Sequence, residues 1–284
     1  MTSMLTAICN LAIKSDNVIS NVTSSRTIAN AMGDSLQAYV EKLFIPNASN
    51  LTEEQINNEK ERIFSWSGNQ NNIPDLIIKG GDAIEIKKIE GTGSLALNSS
   101  YPKQVLCSDS PMITRNCRNC EGVGNSWQKE LWYVIGTVNE NRIKYLFFIQ
   151  GKLYAAENSI YDRIKTIIKS GVTEINNVEF SETKELGRVN RVDPLGITSL
   201  RIRGMWDIEH PFNVYNYISE IEKKADCENL RAYVLVEKTK YLSFDVNERT
   251  TLSDLNNVQI FEKKIKNPDN PVQLIDTTLI TVEV

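Results

Sequence analysis

An α/β fold, with a central mixed β-sheet flanked by helices, is what the 284-residue sequence predicts. Three observations carry that expectation. The first quarter of the chain holds apolar residues at helical spacing. The middle and the C-terminal part hold period-two apolar runs bounded by turn residues. Helical spacing then recurs between those strand-like runs.

In chain order, Ser3, Met4, Leu5, Ala7, Ile8, Leu11 and Ala12 predict a helix over 3–14. A polar stretch follows from Ser15 to Ser25. Ile28, Met32, Leu36, Val40 and Leu43 then form an amphipathic stripe, filled by Ala31, Tyr39 and Phe44 and stopped before Pro46. Asn47 to Asn50 reads as a loop. Thr52-Glu53-Glu54-Gln55 opens a helix with an acidic first turn, running to about Phe64. Asp75 to Lys79 and Ala83 to Ile89 are strands joined through Gly80-Gly81-Asp82. Leu131 to Val138 and Ile143 to Gln150 form a second pair. Ile160, Ile164, Ile167 and Ile168 predict a short helix, and Asn213 to Lys224 another. Ala232 to Glu237, Tyr241 to Val246, Val258 to Ile265 and Leu274 to Val284 read as strands. No repeat or long linker divides the chain, which is read as one domain.

Composition bounds the function. A hydrophobic share of 41% and a charged share of 24% are those of a soluble globular protein. No apolar run approaches the roughly 18 residues of a membrane span. Met1 to Ala12 lacks a basic leader and a small-residue cleavage site, so a cytoplasmic location is expected. Five cysteines fit a reducing compartment better than a disulfide framework. The net charge of −4 does not advertise a nucleic-acid binder. It leaves room for one whose basic groups are confined to a cleft.

The stretch that carries chemistry is Pro74-Asp75, then nine residues, then Glu85-Ile86-Lys87. On a strand, Glu85 and Lys87 share one face while Ile84 and Ile86 take the other. Pairing through the glycine turn brings Asp75 near Glu85. Two adjacent carboxylates repel and call for a cation, and all-oxygen ligands favour Mg²⁺. Such a metal polarises a phosphate and acidifies a water, and Lys87 beside it can orient or deprotonate that water and offset transition-state charge. The arrangement suits phosphodiester hydrolysis. The same pattern also fits a plain hairpin with a solvated Glu-Lys pair.

These residues match the PD-(D/E)xK nuclease superfamily, which implies a restriction-endonuclease-like core. That superfamily places a carboxylate on the preceding helix; here the residue after Leu36 is Gln37, a departure. Either Gln37 serves the metal, or Glu41 one turn later supplies the charge, or both are polar edges of a core helix.

Longer stretches resemble the NgoPII-type family of type II restriction endonucleases. They are Gly68 to Asp75, Gly80 to Lys88, Leu97 to Lys103, Lys129 to Gly136 and Asp193 to Thr198. The resemblance implies a homodimer that cuts double-stranded DNA at a short palindrome, with GGCC as the guess for the site. It implies a catalytic core over about 28–150 and recognition elements over about 97–130 and 184–215. On that basis Asn98, Ser99, Ser100 and Lys103 are expected to contact DNA; the competing reading is a plain turn.

Lys184 to Arg203 carries Lys184, Arg188, Arg191, Arg201 and Arg203 against Glu185 and Asp193. Arginine reads guanine in a bidentate manner, so Arg191, Arg201 and Arg203 are expected at bases or phosphates. An ordinary basic strand is the alternative. Cys117 and Cys120 form one CxxC, and a structural zinc site needs four ligands. His210, the one histidine, excludes a nuclease built on several histidines. Two other functions stay open: a structure-specific repair or junction nuclease, and a non-catalytic DNA-binding module.

Overall fold

The computed structural model describes residues 2–13, 18–19, 28–68, 73–110, 112–139, 141–183, 186–224 and 229–284, without the side chains of 28–34 and 98. Most of the expected polar stretch over 15–25 lies outside them, as do Asn69 to Asn72, Lys184, Glu185 and Cys227. The chain opens with α1 (Met4–Ile13), α2 (Ile28–Leu43), a 3-10 turn (Ala48–Asn50) and α3 (Glu53–Ile63). Strands β1 (Phe64–Ser67), β2 (Leu76–Ile78), β3 (Ala83–Ile89), β4 (Leu95–Asn98) and β5 (Val105–Cys107) follow, then α4 (Arg115–Arg118). Next come β6 (Gln128–Asn139), β7 (Arg142–Gln150), a second 3-10 turn (Gly151–Leu153) and α5 (Asn158–Thr173). Short strands β8 (Glu179–Ser181), β9 (Gly187–Asn190), β10 (Leu200–Ile202) and β11 (Trp206–Ile208) lead to α6 (Pro211–Val214). The chain ends with β12 (Arg231–Glu237), α7 (Lys238–Ser243), α8 (Val246–Ser253), β13 (Val258–Asn267) and β14 (Asn270–Glu283).

A nine-stranded sheet runs in the order β1-β2-β3-β6-β7-β12-β14-β13, with β5 also paired to β6. It is mixed: β3 lies parallel to β6 and β7 parallel to β12, and the other pairs are antiparallel. The period-two pattern sorts its side chains into two cores. Ile84, Ile86, Trp132, Val134, Phe148 and Val234 point to the face covered by α1 and α2. Ala83, Tyr133, Ile135, Phe147 and Tyr233 point to the other face, against Leu95, Leu97, Tyr154 and Tyr215. Both faces of the central strands are dry, which is why those strands read as continuous apolar runs.

The expected helix, hairpin and long-strand positions hold, with four differences. Asn47 to Asn50 is not a plain loop but winds a 3-10 turn over Ala48–Asn50. Phe64 begins a strand instead of ending a helix. Tyr241 to Val246 is not a strand. Asp245 accepts hydrogen bonds from the Asn247 and Glu248 amides at 2.8 and 3.3 Å and so caps α8. Asn213 to Lys224 is not a helix beyond the single turn of α6. Tyr215, Ile218 and Ile221 are buried at spacing three, and after Tyr215 the chain takes i to i+3 turns: the Ile218 and Ile221 amides donate to the Tyr215 and Ile218 carbonyls. No helix of the described residues is long and apolar enough to cross a membrane.

Gly136 is the point of closest approach between β6 and α2. A Cβ there would lie 2.7 and 2.9 Å from the two Leu36 methyl carbons, and Leu36 is fully buried. Gly136→Val is expected to push α2 off the sheet, lowering unfolding free energy by about 1–3 kcal/mol in denaturant titration.

Candidate active site

The register of the catalytic hairpin decides the geometry. Leu76 pairs with Ile84 and Ile77 with Ala83, so the next position outward sets Asp75 against Glu85. Side chains so opposed have Cβ atoms ~5 Å apart. Lys87 follows Glu85 on the same face, and its Nζ lies 2.7 Å from Glu85 Oε1. Asp75 Oδ2 accepts the Ile86 amide hydrogen at 2.6 Å. Asp75 and Glu85 are both buried.

The turn into Asp75 is clamped by β1. The Trp66 indole donates to the Pro74 carbonyl at 3.0 Å, and the Gly68 amide donates to the Asp75 carbonyl at 2.6 Å. A Cβ on Gly68 would sit 2.6 Å from the Pro74 carbonyl oxygen, so only glycine permits this approach. The side chain is thus oriented by backbone contacts on both sides of it.

Electrostatics set the roles. Burial, and then the Glu85 carboxylate, hold the Asp75 pKa well above the usual carboxylate range. Burial works against the Lys87 ammonium, but Glu85 and Asp75 outweigh it and its pKa goes up. The two acids thus favour the charged form of Lys87, which suits it to offsetting negative charge beside them. Glu85 Oε2 is buried with no hydrogen-bond donor among the described residues. Such an orphaned carboxylate oxygen, facing a second desolvated carboxylate, fits a divalent cation.

Glu41 stands apart from this pair. Its carboxylate accepts from Gln37 Nε2 at 3.1 Å and Ser67 Oγ at 3.2 Å, and it is paired with Lys60. It adds a weaker push on the Asp75 pKa. Among the described residues no group of three or more His, Cys, Asp or Glu side chains could hold a metal. Asp75 and Glu85 are the two carboxylates that the hairpin register opposes.

The loop after β4 closes the other side. Lys103 Nζ is buried, donating to Ser100 Oγ at 2.8 Å and the Tyr101 carbonyl at 2.9 Å. The Lys103 backbone is held by the hydroxyl of Tyr133, the strand neighbour of Glu85. Burial pulls the Lys103 pKa down to about 8, while Glu85 opposes the shift. Ser100 and Lys103 therefore wall the site; Ser99 is half-buried beside them. The Asn98 side chain lies outside what is described; its backbone pairs with Trp206. Tyr133, Ser67, Lys60 and Trp66 are site residues the sequence reading missed. Tyr133 could have been found as the neighbour of Glu85 once the parallel pairing was known, but no local signal marks it.

The arginines form a separate surface. β8, β9 and β10 make a small sheet in which Arg201 opposes Arg188. Arg188 donates to Ser199 Oγ at 3.0 Å. Arg191, at φ 48°, pairs with Glu179 at 3.1 Å in the open, and Arg203 lies exposed one residue beyond β10. The Asp193 carboxylate accepts the amides of Leu195, Ile197 and Thr198, which shapes the loop between the arginine strands. Cys117 and Cys120 are free thiols. A hydrogen bond from Cys117 brings the Cys120 pKa down to about 7. His210 is buried, caps α6 through Nδ1 and is held to about 4 by burial.

The family model of NgoPII restriction endonucleases matches residues 2–267. The chain is 39% identical to the type II restriction enzyme NgoPII of Neisseria gonorrhoeae, over 98% of this chain and 99% of that protein. It belongs to the NgoPII restriction endonuclease family. Members of this class are site-specific deoxyribonucleases, so the chain is an enzyme whose substrate is DNA. No solved structure matches it.

Asp75 supplies a stability test. Its folded pKa is raised, so stability falls as pH climbs from the ordinary value of 3.8 through the raised one. Asn retains the acceptor for the Ile86 amide and removes the charge. In EDTA at pH 8, Asp75→Asn is expected to raise the melting midpoint by several degrees, with no gain at pH 4.

Proposed function

We propose that this chain is a cytoplasmic, Mg²⁺-dependent homodimer with a restriction-endonuclease-like core, cutting both strands of DNA at a short palindromic, GGCC-like site. The observation that supports it best is the buried Asp75-Glu85-Lys87 set, two desolvated carboxylates with one cation and one orphaned oxygen. The palindrome and the site sequence are supported by the family resemblance, and the dimer by the two-fold symmetry such a site has.

Asp75 and Glu85 would hold the ion, one on each strand of the hairpin. When bound, Mg²⁺ supplies Lewis-acid polarisation of the scissile phosphate and a lowered water pKa. The chain's own residues do the rest. Lys87 orients the attacking water and offsets charge gathering on phosphate oxygens. Gln37 steadies Glu41, whose carboxylate, paired with Lys60, adds a weak field at Asp75. The segment from Asn98 through Ser99 and Ser100 to Lys103 lies against the scissile phosphate. Arg191, Arg201 and Arg203 lie in the groove, where a guanidinium can take a DNA phosphate or a guanine edge.

Digestion of a known plasmid with Mg²⁺, followed by end sequencing, reports activity, target and cut position together. Discrete fragments with one recurrent end sequence are expected; ends that track junctions or damage, or no cutting, contradict the reading. Asp75→Ala and Lys87→Ala should each lower cleavage by about a thousandfold or more, ~4 kcal/mol of transition-state stabilisation, while gel-shift binding persists. Arg203→Ala should weaken specific binding by ~1–3 kcal/mol; unchanged binding would remove it from the DNA surface.

A further inference from the structure

Helix α5 is amphipathic and has no buried residue. Ile160, Ile164, Ile167 and Ile168 are 38, 40, 64 and 42% exposed. At 3.6 residues per turn the first three and Gly171 fall in one narrow stripe, with Ile168 at its side. Tyr161 and Val172 project roughly a quarter turn away, toward the body of the protein. There Tyr161 stacks on Tyr101 at 5.3 Å and meets Trp206 edge-on at 5.7 Å. Its hydroxyl accepts the Ala156 amide at 2.9 Å. Tyr101 in turn lies 3.9 Å under the Lys103 ammonium. The helix is thus anchored on its inner side to the wall of the active site, while its isoleucine stripe faces outward.

Single exposed apolar side chains are ordinary, but four isoleucines aligned on one helix mark an interaction surface. Most helical stability in proteins comes from burying such a stripe. We propose that a second copy of this chain covers it, the two α5 helices packing antiparallel about a two-fold axis between Ile167 and Ile168. The proposal rests on the reading of the substrate as a two-fold-symmetric duplex, which needs two catalytic hairpins in one particle.

Charge selects this occupant and this orientation. Arg163, in the second turn of α5, and Glu174, its C-cap, flank the same edge of the stripe. Antiparallel pairing brings this edge against itself and sets each beside its opposite on the partner, twice over; parallel pairing turns it toward the partner's other edge, where neither pair forms. It also places Gly171 over Ile164, where the missing side chain makes room. DNA would not cover an isoleucine stripe, because the duplex backbone is bound by cations. A 16-residue helix is about 24 Å long. One such seam buries less than the ~800 Å² per partner of a standard interface, so the self-association is reversible and concentration-dependent.

Analytical ultracentrifugation of the full chain tests this. Wild type should move from 32.2 kDa toward twice that mass as concentration rises. Ile164→Glu/Ile167→Glu should stay at the single mass with an unchanged circular dichroism spectrum. Arg163→Glu should weaken association about fivefold or more, and adding Glu174→Arg should restore it; this pair judges the seam even if the isoleucine variant fails to fold. A wild type that stays monomeric at every concentration, an isoleucine variant that still dimerises, or a charge reversal without rescue overturns the proposal. Mg²⁺-dependent cleavage by wild type is scored separately. A monomer that cuts sinks the seam alone, and a dimer that never cuts sinks the nuclease reading alone.

Discussion

The antiparallel register of β2 and β3 is the constraint on which the rest depends. It sets Asp75 against Glu85 and leaves Lys87 beside them, all on one face of a sheet whose other face is sealed. A slip of one residue would turn both Glu85 and Lys87 into the core under α2. The turn at Gly80 and the clamp of Trp66 and Gly68 on Pro74 and Asp75 prevent that slip from two sides. Two carboxylates so placed disfavour the metal-free fold. The two dry core layers supply the stability that offsets it, and the proposed cation would relieve the imbalance.

Three lysines around this centre differ by their surroundings. Lys87 is favoured in its charged form by two acids beside it. Lys103 is buried against a serine, a carbonyl and an aromatic ring, with its pKa brought down to about 8. Lys60 is used up in pairing with Glu41. At the departure, the Gln37 amide donates to Glu41 one turn on, and that carboxylate is also paired with Lys60.

Much of this was legible in the sequence, for definite reasons. The catalytic hairpin is local, so alternation and a glycine turn sufficed to predict both strands and the meeting of Asp75 with Glu85. The long central strands were legible because burial on both faces makes them continuously apolar. Tyr241 to Val246 misled because its apolar alternation masked Asp245 and Glu248, a capping pair that marks a helix start. Asn213 to Lys224 misled because apolar spacing of three suits successive tight turns as well as a helix. Lys60, Ser67 and Tyr133 were not legible at all, since each reaches the site through a contact distant in the chain. The family motifs reached further than the triad alone, because Asp193 to Thr198 and Leu97 to Lys103 each shape a loop beside a functional surface.

The metal is the point at which the account is most directly exposed. Calorimetric titration of Mg²⁺ into EDTA-treated wild type and Glu85→Gln, each shown to be folded, isolates the orphaned oxygen from every later step. Saturable binding by wild type, weakened tenfold or more (about 1.4 kcal/mol) in the variant, is the predicted result. Equal affinity in the two proteins would contradict it, because the carboxylates of the hairpin would then not be what holds the ion.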